Sequence, residues 1–214
     1  MSDNKTSYLV PAETIKVEQE IKRSRFIATV GRAVNTKMAK EFIDRTKAFY
    51  PDARHHCYAF VAGCSANTSD IGMSDDGEPQ GTAGKPMLSI LQYSKIGEIV
   101  AVVTRYFGGT KLGTGGLVRA YSSSVQLALE KIKLEEFVIL KTAQLSFSFS
   151  YESAMRYVFE KMKVNIKNVD YRDNVKMVVE FPENITDELF REIKNQTRGD
   201  VEIFYLNNGG GSRR

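Results

Sequence analysis

The sequence predicts an α+β protein of two domains, on three observations. Residues 14–133 mix strand-like alternation with helix-like spacing around Ile99–Tyr106, the most buried-looking strand of the chain. Beyond residue 140 the pattern changes to βαββαβ over about sixty-five residues, the order of a ferredoxin-like domain. The chain has 214 residues, 42% of them hydrophobic and 26% charged, which suffices for a buried core and fits one large domain or two small ones. The predicted division is residues 1–138, residues 139–206, and a flexible tail 207–214 reading NNGGGSRR.

The elements follow in order. Ile15, Val17, Phe26, Ile27 and Val30 alternate with polar residues and predict a strand pair over 14–30. Thr36 can cap a helix to Phe49, with Met38, Phe42, Ile43 and Phe49 facing inward, and Pro51 stops it. His56–Val61 predicts a strand ending at Gly63. Ser65–Gly84 is polar and without periodicity, and predicts a long functional loop. Pro86 suits the first turn of a short helix carrying Met87, Leu88, Ile90 and Leu91. After Ile99–Tyr106, a glycine-rich turn leads into a helix over Leu117–Lys133 with the stripe Leu117, Tyr121, Val125, Ala128 and Ile132. Glu135–Glu136 predicts an acidic turn. Strands are then predicted at Leu145–Phe149, Val164–Val169, Lys176–Phe181 and Val201–Tyr205, with helices at Glu152–Met162 and Thr186–Gln196.

Bulk properties narrow the functional classes. The longest aliphatic run, Ile99–Val103, is too short to cross a bilayer, so no membrane role is expected. The segment Met1–Tyr8 is polar and carries Asp3 where an export signal needs positive charge. Two cysteines, Cys57 and Cys64, fit free thiols in a reducing compartment, so a cytoplasmic protein is expected. A net charge of +4 is too mild to name nucleic acid as the partner, but its distribution is uneven. From Pro79 to Leu129 the bases are Lys85, Lys95, Arg105, Lys111 and Arg119, against Glu98 as the one acid.

Two stretches carry the candidate chemistry. Asp75-Asp76-Gly77-Glu78-Pro79-Gln80-Gly81-Thr82-Ala83-Gly84-Lys85-Pro86 sets three carboxylates, three glycines and a lysine before a helix start. Arg105 to Arg119 contains Gly108, Gly109, Gly113, Gly115 and Gly116 between a buried strand and a helix. Glycine permits close approach to backbone N–H groups, and a helix start offers unpaired donors with a positive dipole end. Lys85, Arg105, Lys111 and Arg119 with those glycines therefore form a candidate anion- or nucleic-acid-binding surface. Asp75, Asp76, Glu78, Gly81, Thr82 and Gly84 form a second candidate loop site. The same glycines also suit tight packing, and Arg105 equally suits a structural pair with Asp75 or Asp76. Phe107 and Tyr121 suit the core better than an exposed stacking surface.

Other motifs fail. A nucleotide-hydrolase phosphate loop would need a glycine where Pro79 stands and a hydroxyl residue where Pro86 stands. The dinucleotide fingerprint meets Val118 in place of its third glycine. His55, His56, Cys57 and Cys64 lack a Cys-x-x-Cys pair, so no metal, cofactor or catalytic residue is assigned.

The two long motifs, Ser74-Asp75-Asp76-Gly77-Glu78-Pro79 with Gly81-Thr82-Ala83-Gly84, and Val103-Thr104-Arg105-Tyr106-Phe107-Gly108-Gly109 with Lys111-Leu112-Gly113 and Gly115 to Tyr121, closely resemble the signature of the IMPACT/YigZ family. The resemblance covers residues 14–133, and two-domain bacterial members share the small second domain. It implies a first domain like one shared by a small-subunit ribosomal protein and domain IV of elongation factor G. It implies a second domain like that factor's ferredoxin-like fifth domain. It further implies regulation of translation through binding rather than catalysis. The expected partners are RNA, the ribosome or a translation-associated protein. One alternative is a protein-contact module using Phe107, Leu112 and Leu117. The other is a metal-assisted enzyme on a phosphorylated small molecule, using Asp75, Asp76 or Glu78.

Overall fold

The computed structural model describes residues 7–64 and 69–213. It divides into one unit, Tyr8–Glu136, and another built on Phe137–Arg214. In the first unit the strands are β1 (Ser7–Pro11), β2 (Ile15–Ile21), β3 (Ser24–Arg32), β4 (His55–Val61), β5 (Ile71–Ser74) and β6 (Ile99–Tyr106). Its helices are α1 (Thr36–Phe49), α2 (Gly84–Ser94) and α3 (Thr114–Lys131). Five strands form an antiparallel sheet in the order β2-β3-β6-β4-β5.

β6 reads as a continuous apolar run because both faces of this central strand are covered. Ala101 and Val103 pack with Phe26, Cys57, Met87 and Leu91, and with Leu117, Tyr121 and Val125 of α3. Val100 and Val102 pack on the opposite face with Ala39, Phe42 and Ile43 of α1. The two-residue period then places Arg105 on the α2/α3 face. The register aligns Phe26, Arg105 and His55 across β3, β6 and β4, and side chains at such opposed positions stand on one face.

Several boundaries differ from the sequence expectation for local reasons. Asn35, not Thr36, caps α1, its Oδ1 accepting from the Met38 amide at 2.9 Å. Met38 and Phe49 are exposed rather than inward-facing. β5 lies inside the stretch expected to be an unbroken loop, where its edge pairing with β4 fixes it; residues 65–68 of that stretch lie outside the described residues. α3 begins at Thr114, so Gly115 and Gly116 form its first turn instead of preceding it.

The second unit contains β7 (Leu134–Phe147), α4 (Glu152–Lys161), β8 (Asn165–Tyr171), β9 (Val175–Pro182), α5 (Thr186–Gln196) and β10 (Val201–Arg213). Its strands lie antiparallel in the order β10-β7-β9-β8. β9 thus sits between β7 and β8, the split βαβ arrangement. Leu145, Phe147, Met177, Val179 and Phe181 pack with Met155, Phe159, Leu189 and Ile193 of the two helices. Glu135–Glu136 belongs to β7 rather than to a turn. β10 continues past Leu206 and, after a register shift, pairs Gly210 with Leu140 and Arg213 with Phe137.

Candidate functional site

The acidic loop is an internal brace. Asp75 Oδ1 accepts from the amides of Ala83 (2.9 Å) and Gly84 (2.8 Å), and Oδ2 accepts from the amide of Gly81 (2.8 Å). Ala83 offers α2 no side-chain cap, so Asp75 supplies it from nine residues before the first helical residue, Gly84. Burial alone would raise the Asp75 pKa, but the amides of Gly81, Gly84 and Ala83 together outweigh it and hold the carboxyl below its ordinary value. Asp76 Oδ2 accepts from the His56 amide at 2.7 Å, and Oδ1 pairs with Lys47 Nζ at 3.2 Å. The Thr82 hydroxyl donates to the Pro79 carbonyl at 2.7 Å. Gly81, Thr82 and Gly84 are therefore committed to the fold.

Glu78 is the partner of Arg105, in place of Asp75 or Asp76. Arg105 Nη1 lies 2.6 Å from Glu78 Oε1, with only 7% and 4% of the two side chains exposed. The Tyr121 hydroxyl donates to the same oxygen at 2.8 Å. The Arg105 guanidinium also lies over the rings of Phe26 (5.4 Å) and Phe107 (5.6 Å). Tyr121 belongs to the core, but Phe107 is 57% exposed, contrary to expectation. Among the described residues, no group of three or more His, Cys, Asp or Glu side chains is placed to hold a metal ion.

Cys57 lies below this network, its thiol donating to the Asp75 carbonyl at 2.9 Å. Burial pushes the thiol up to about 12. Since the thiolate is the reacting form, iodoacetamide at pH 8 should label the half-buried Cys64 and spare Cys57 until the protein unfolds. Peptide mapping checks this, and rapid native labelling of Cys57 would contradict it.

Beyond the brace lies a cleft of about 710 Å³. Arg54 and His55 enter it from the start of β4, Arg105 from the end of β6, and Lys111, Gly113 and Thr114 from the turn into α3. Phe107, Leu112, Leu117 and Pro79 supply apolar walls. Its acids are engaged: Asp52 Oδ1 accepts from the Tyr106 hydroxyl at 2.8 Å, and Glu78 holds Arg105 and Tyr121. His55 Nδ1 lies 2.9 Å from the Asp76 carbonyl oxygen, to which it donates. Gly113 stands before α3 at φ 75° and gives the helix no side-chain cap. The first-turn residues Thr114 and Gly115 are exposed.

The structure gathers only part of the predicted cationic set. Arg105, Lys111 and Gly113 line the cleft; Lys85 and Arg119 are exposed elsewhere. The Gly108 amide donates to Ser24 Oγ at 3.2 Å, and a Cβ there would lie 1.9 Å from the Arg23 carbonyl oxygen. That glycine serves packing, while Gly109 stays exposed. Leu117 is buried, which reduces the proposed apolar contact surface to Phe107 and part of Leu112. Arg54 escaped the sequence reading, and His55 was set aside there. Both lie some fifty residues from the glycine-rich turn, and only the β4–β6 register unites them.

Comparison with known proteins matches residues 22–129 to the Impact N-terminal domain and residues 145–200 to a domain of unknown function (DUF1949). The chain is 41% identical over 202 residues to an IMPACT family member of Haemophilus influenzae, covering 94% of this chain and 98% of that one. It is 40% identical over 200 residues to IMPACT family member YigZ of Escherichia coli, with the same coverage. A crystal structure of a hypothetical protein, 38% identical, superposes with a TM-score of 0.67 over 95% of this chain and 98% of the other.

Proposed function

This chain belongs to the IMPACT family, and from that premise we propose that it is a translation-linked cytoplasmic protein that binds RNA through the cleft beside α3. One observation carries the reading: Arg54, His55, Arg105 and Lys111 converge on a cleft that also receives the uncapped start of α3. Cations and helix N-termini are the groups that meet phosphate oxygens. The exposed ring of Phe107 at the same cleft offers a base a stacking face. Nothing in this reading requires a catalytic group, since Asp75, Asp76 and Glu78 are held by partners within the fold.

Phosphate contacts displace counterions, so RNA affinity should fall steeply as salt rises. Lys111→Ala should weaken binding and lower the slope of log affinity against log salt by about 0.7. Arg119→Ala, outside the cleft, should change the slope less. Fluorescence anisotropy with a 5′-phosphorylated eight-nucleotide RNA from 50 to 300 mM salt measures both. Affinity indifferent to salt and to Lys111 would remove RNA from this cleft and favour a protein partner.

A further inference from the structure

The most informative side chain of the cleft is a buried cation. Arg105 is 6% exposed and lines the cleft. Its Nη1 is held by Glu78 and its Nη2 lies 3.4 Å from Ser24 Oγ, yet its Nε is buried without a hydrogen-bond partner. Buried donors are nearly always paired, so an orphaned guanidinium N–H beside a cleft points to a ligand acceptor. Phe107 lies over this guanidinium while leaving most of its own surface exposed.

The other groups come from different directions. Arg54 approaches from the residue before β4, Lys111 from the glycine-rich turn, and Thr114 from the start of α3. Donors arranged around a volume, with a guanidinium at one side, suit a group presenting several oxygens in different directions. A phosphate monoester has three terminal oxygens and nearly two negative charges at neutral pH. An internal phosphodiester has two free oxygens, one charge and chain leaving on both sides. The cleft volume of about 710 Å³ also suits one nucleotide.

We propose that this cleft recognises a phosphate monoester, presented as the 5′-phosphorylated end of an RNA, with the phosphate held between Arg105, Lys111, Arg54 and the start of α3 and the terminal base against Phe107. The proposal rests on the RNA-binding reading above and narrows it to an end group.

The test uses the full chain and one eight-nucleotide RNA, labelled at its 3′ end, carrying either a 5′-phosphate or a 5′-hydroxyl. The 5′-phosphate form should bind about tenfold more tightly or better, as expected for added charge-assisted bonds. Lys111→Ala and Arg54→Ala, both remote from the buried Arg105–Glu78 pair's own contacts, should each erase most of that preference. Phe107→Ala should weaken both RNAs while leaving a preference. Equal affinity for the two RNAs, with Lys111→Ala weakening both alike, would overturn the end-group proposal and leave RNA binding standing. No binding of either RNA would overturn both readings. Adenosine 5′-monophosphate serves as the competing arm. Displacement of the RNA at millimolar nucleotide supports a monoester site on RNA. Nucleotide binding as tight as the RNA's would support the monoester and assign it to a free nucleotide.

Discussion

Arg105→Ala is expected to destabilise the first unit by about 3–5 kcal/mol, the cost of leaving a buried carboxylate without its cation. Glu78 would keep only the Tyr121 hydroxyl at an oxygen that now also receives Arg105 Nη1. The guanidinium's packing over Phe26 and Phe107 would be lost as well. Against a typical total of about 5–15 kcal/mol, such a loss brings the unit close to unfolding. The double variant Arg105→Met with Glu78→Leu removes both charges and fills much of their volume, so it should recover most of the stability. Urea unfolding followed by far-UV circular dichroism measures both variants against the wild type, since the chain has no tryptophan. A loss below about 1 kcal/mol for Arg105→Ala would place the pair in the range of exposed ion pairs and contradict its burial.

The double variant also separates stability from recognition. It should fold and yet lose the preference for a 5′-phosphate, because the orphaned guanidinium N–H would be gone. A refolded double variant with full preference would show that Arg105 is only a structural member of the cleft.

Asp75→Asn is expected to cost about 2–4 kcal/mol. Three amide donors meet the native carboxylate, and bonds to a charged acceptor contribute about 1.5–3 kcal/mol each without adding fully. An amide side chain keeps one acceptor oxygen and turns an NH2 toward a backbone N–H. It also removes a negative charge from the start of α2, whose first turn has no acidic residue of its own. The pH dependence follows from the lowered native pKa. The carboxylate's contribution is complete above the unfolded-state value of about 3.9 and disappears as pH falls through the lower native value. Chemical denaturation from pH 7 to pH 2 should therefore show a constant gap between wild type and variant above about pH 5, closing in strong acid. A gap that widens on acidification would mean that the carboxyl is not held ionised by these amides.

These two sites show how unevenly the sequence reveals structure. β2, β3, α1, β6 and α5 were legible because a strand or helix with one or two buried faces writes a local period into the chain. Leu117, Tyr121, Val125, Ala128 and Ile132 marked α3 for the same reason, and all are buried. β5 left no such mark, because its four residues are held at a sheet edge by pairing with β4 rather than by a core-facing period. The acidic loop was recognisable as special, but not as a cap. Nothing local tells Asp75 that its three donors are the amides of Gly81, Ala83 and Gly84.

By itself the sequence determined the fold class, the family, most element positions and the glycine-rich turn that opens α3, since each is encoded by neighbours within a few residues. Only the tertiary structure decided which charges are spent and which face the cleft. It bound Glu78 to Arg105 across 27 positions, left Lys85 and Arg119 outside, and brought Arg54 and His55 to Lys111. The reason is physical: a charge's role depends on its partners and its desolvation, and both are set by strand register and packing between residues far apart in the chain.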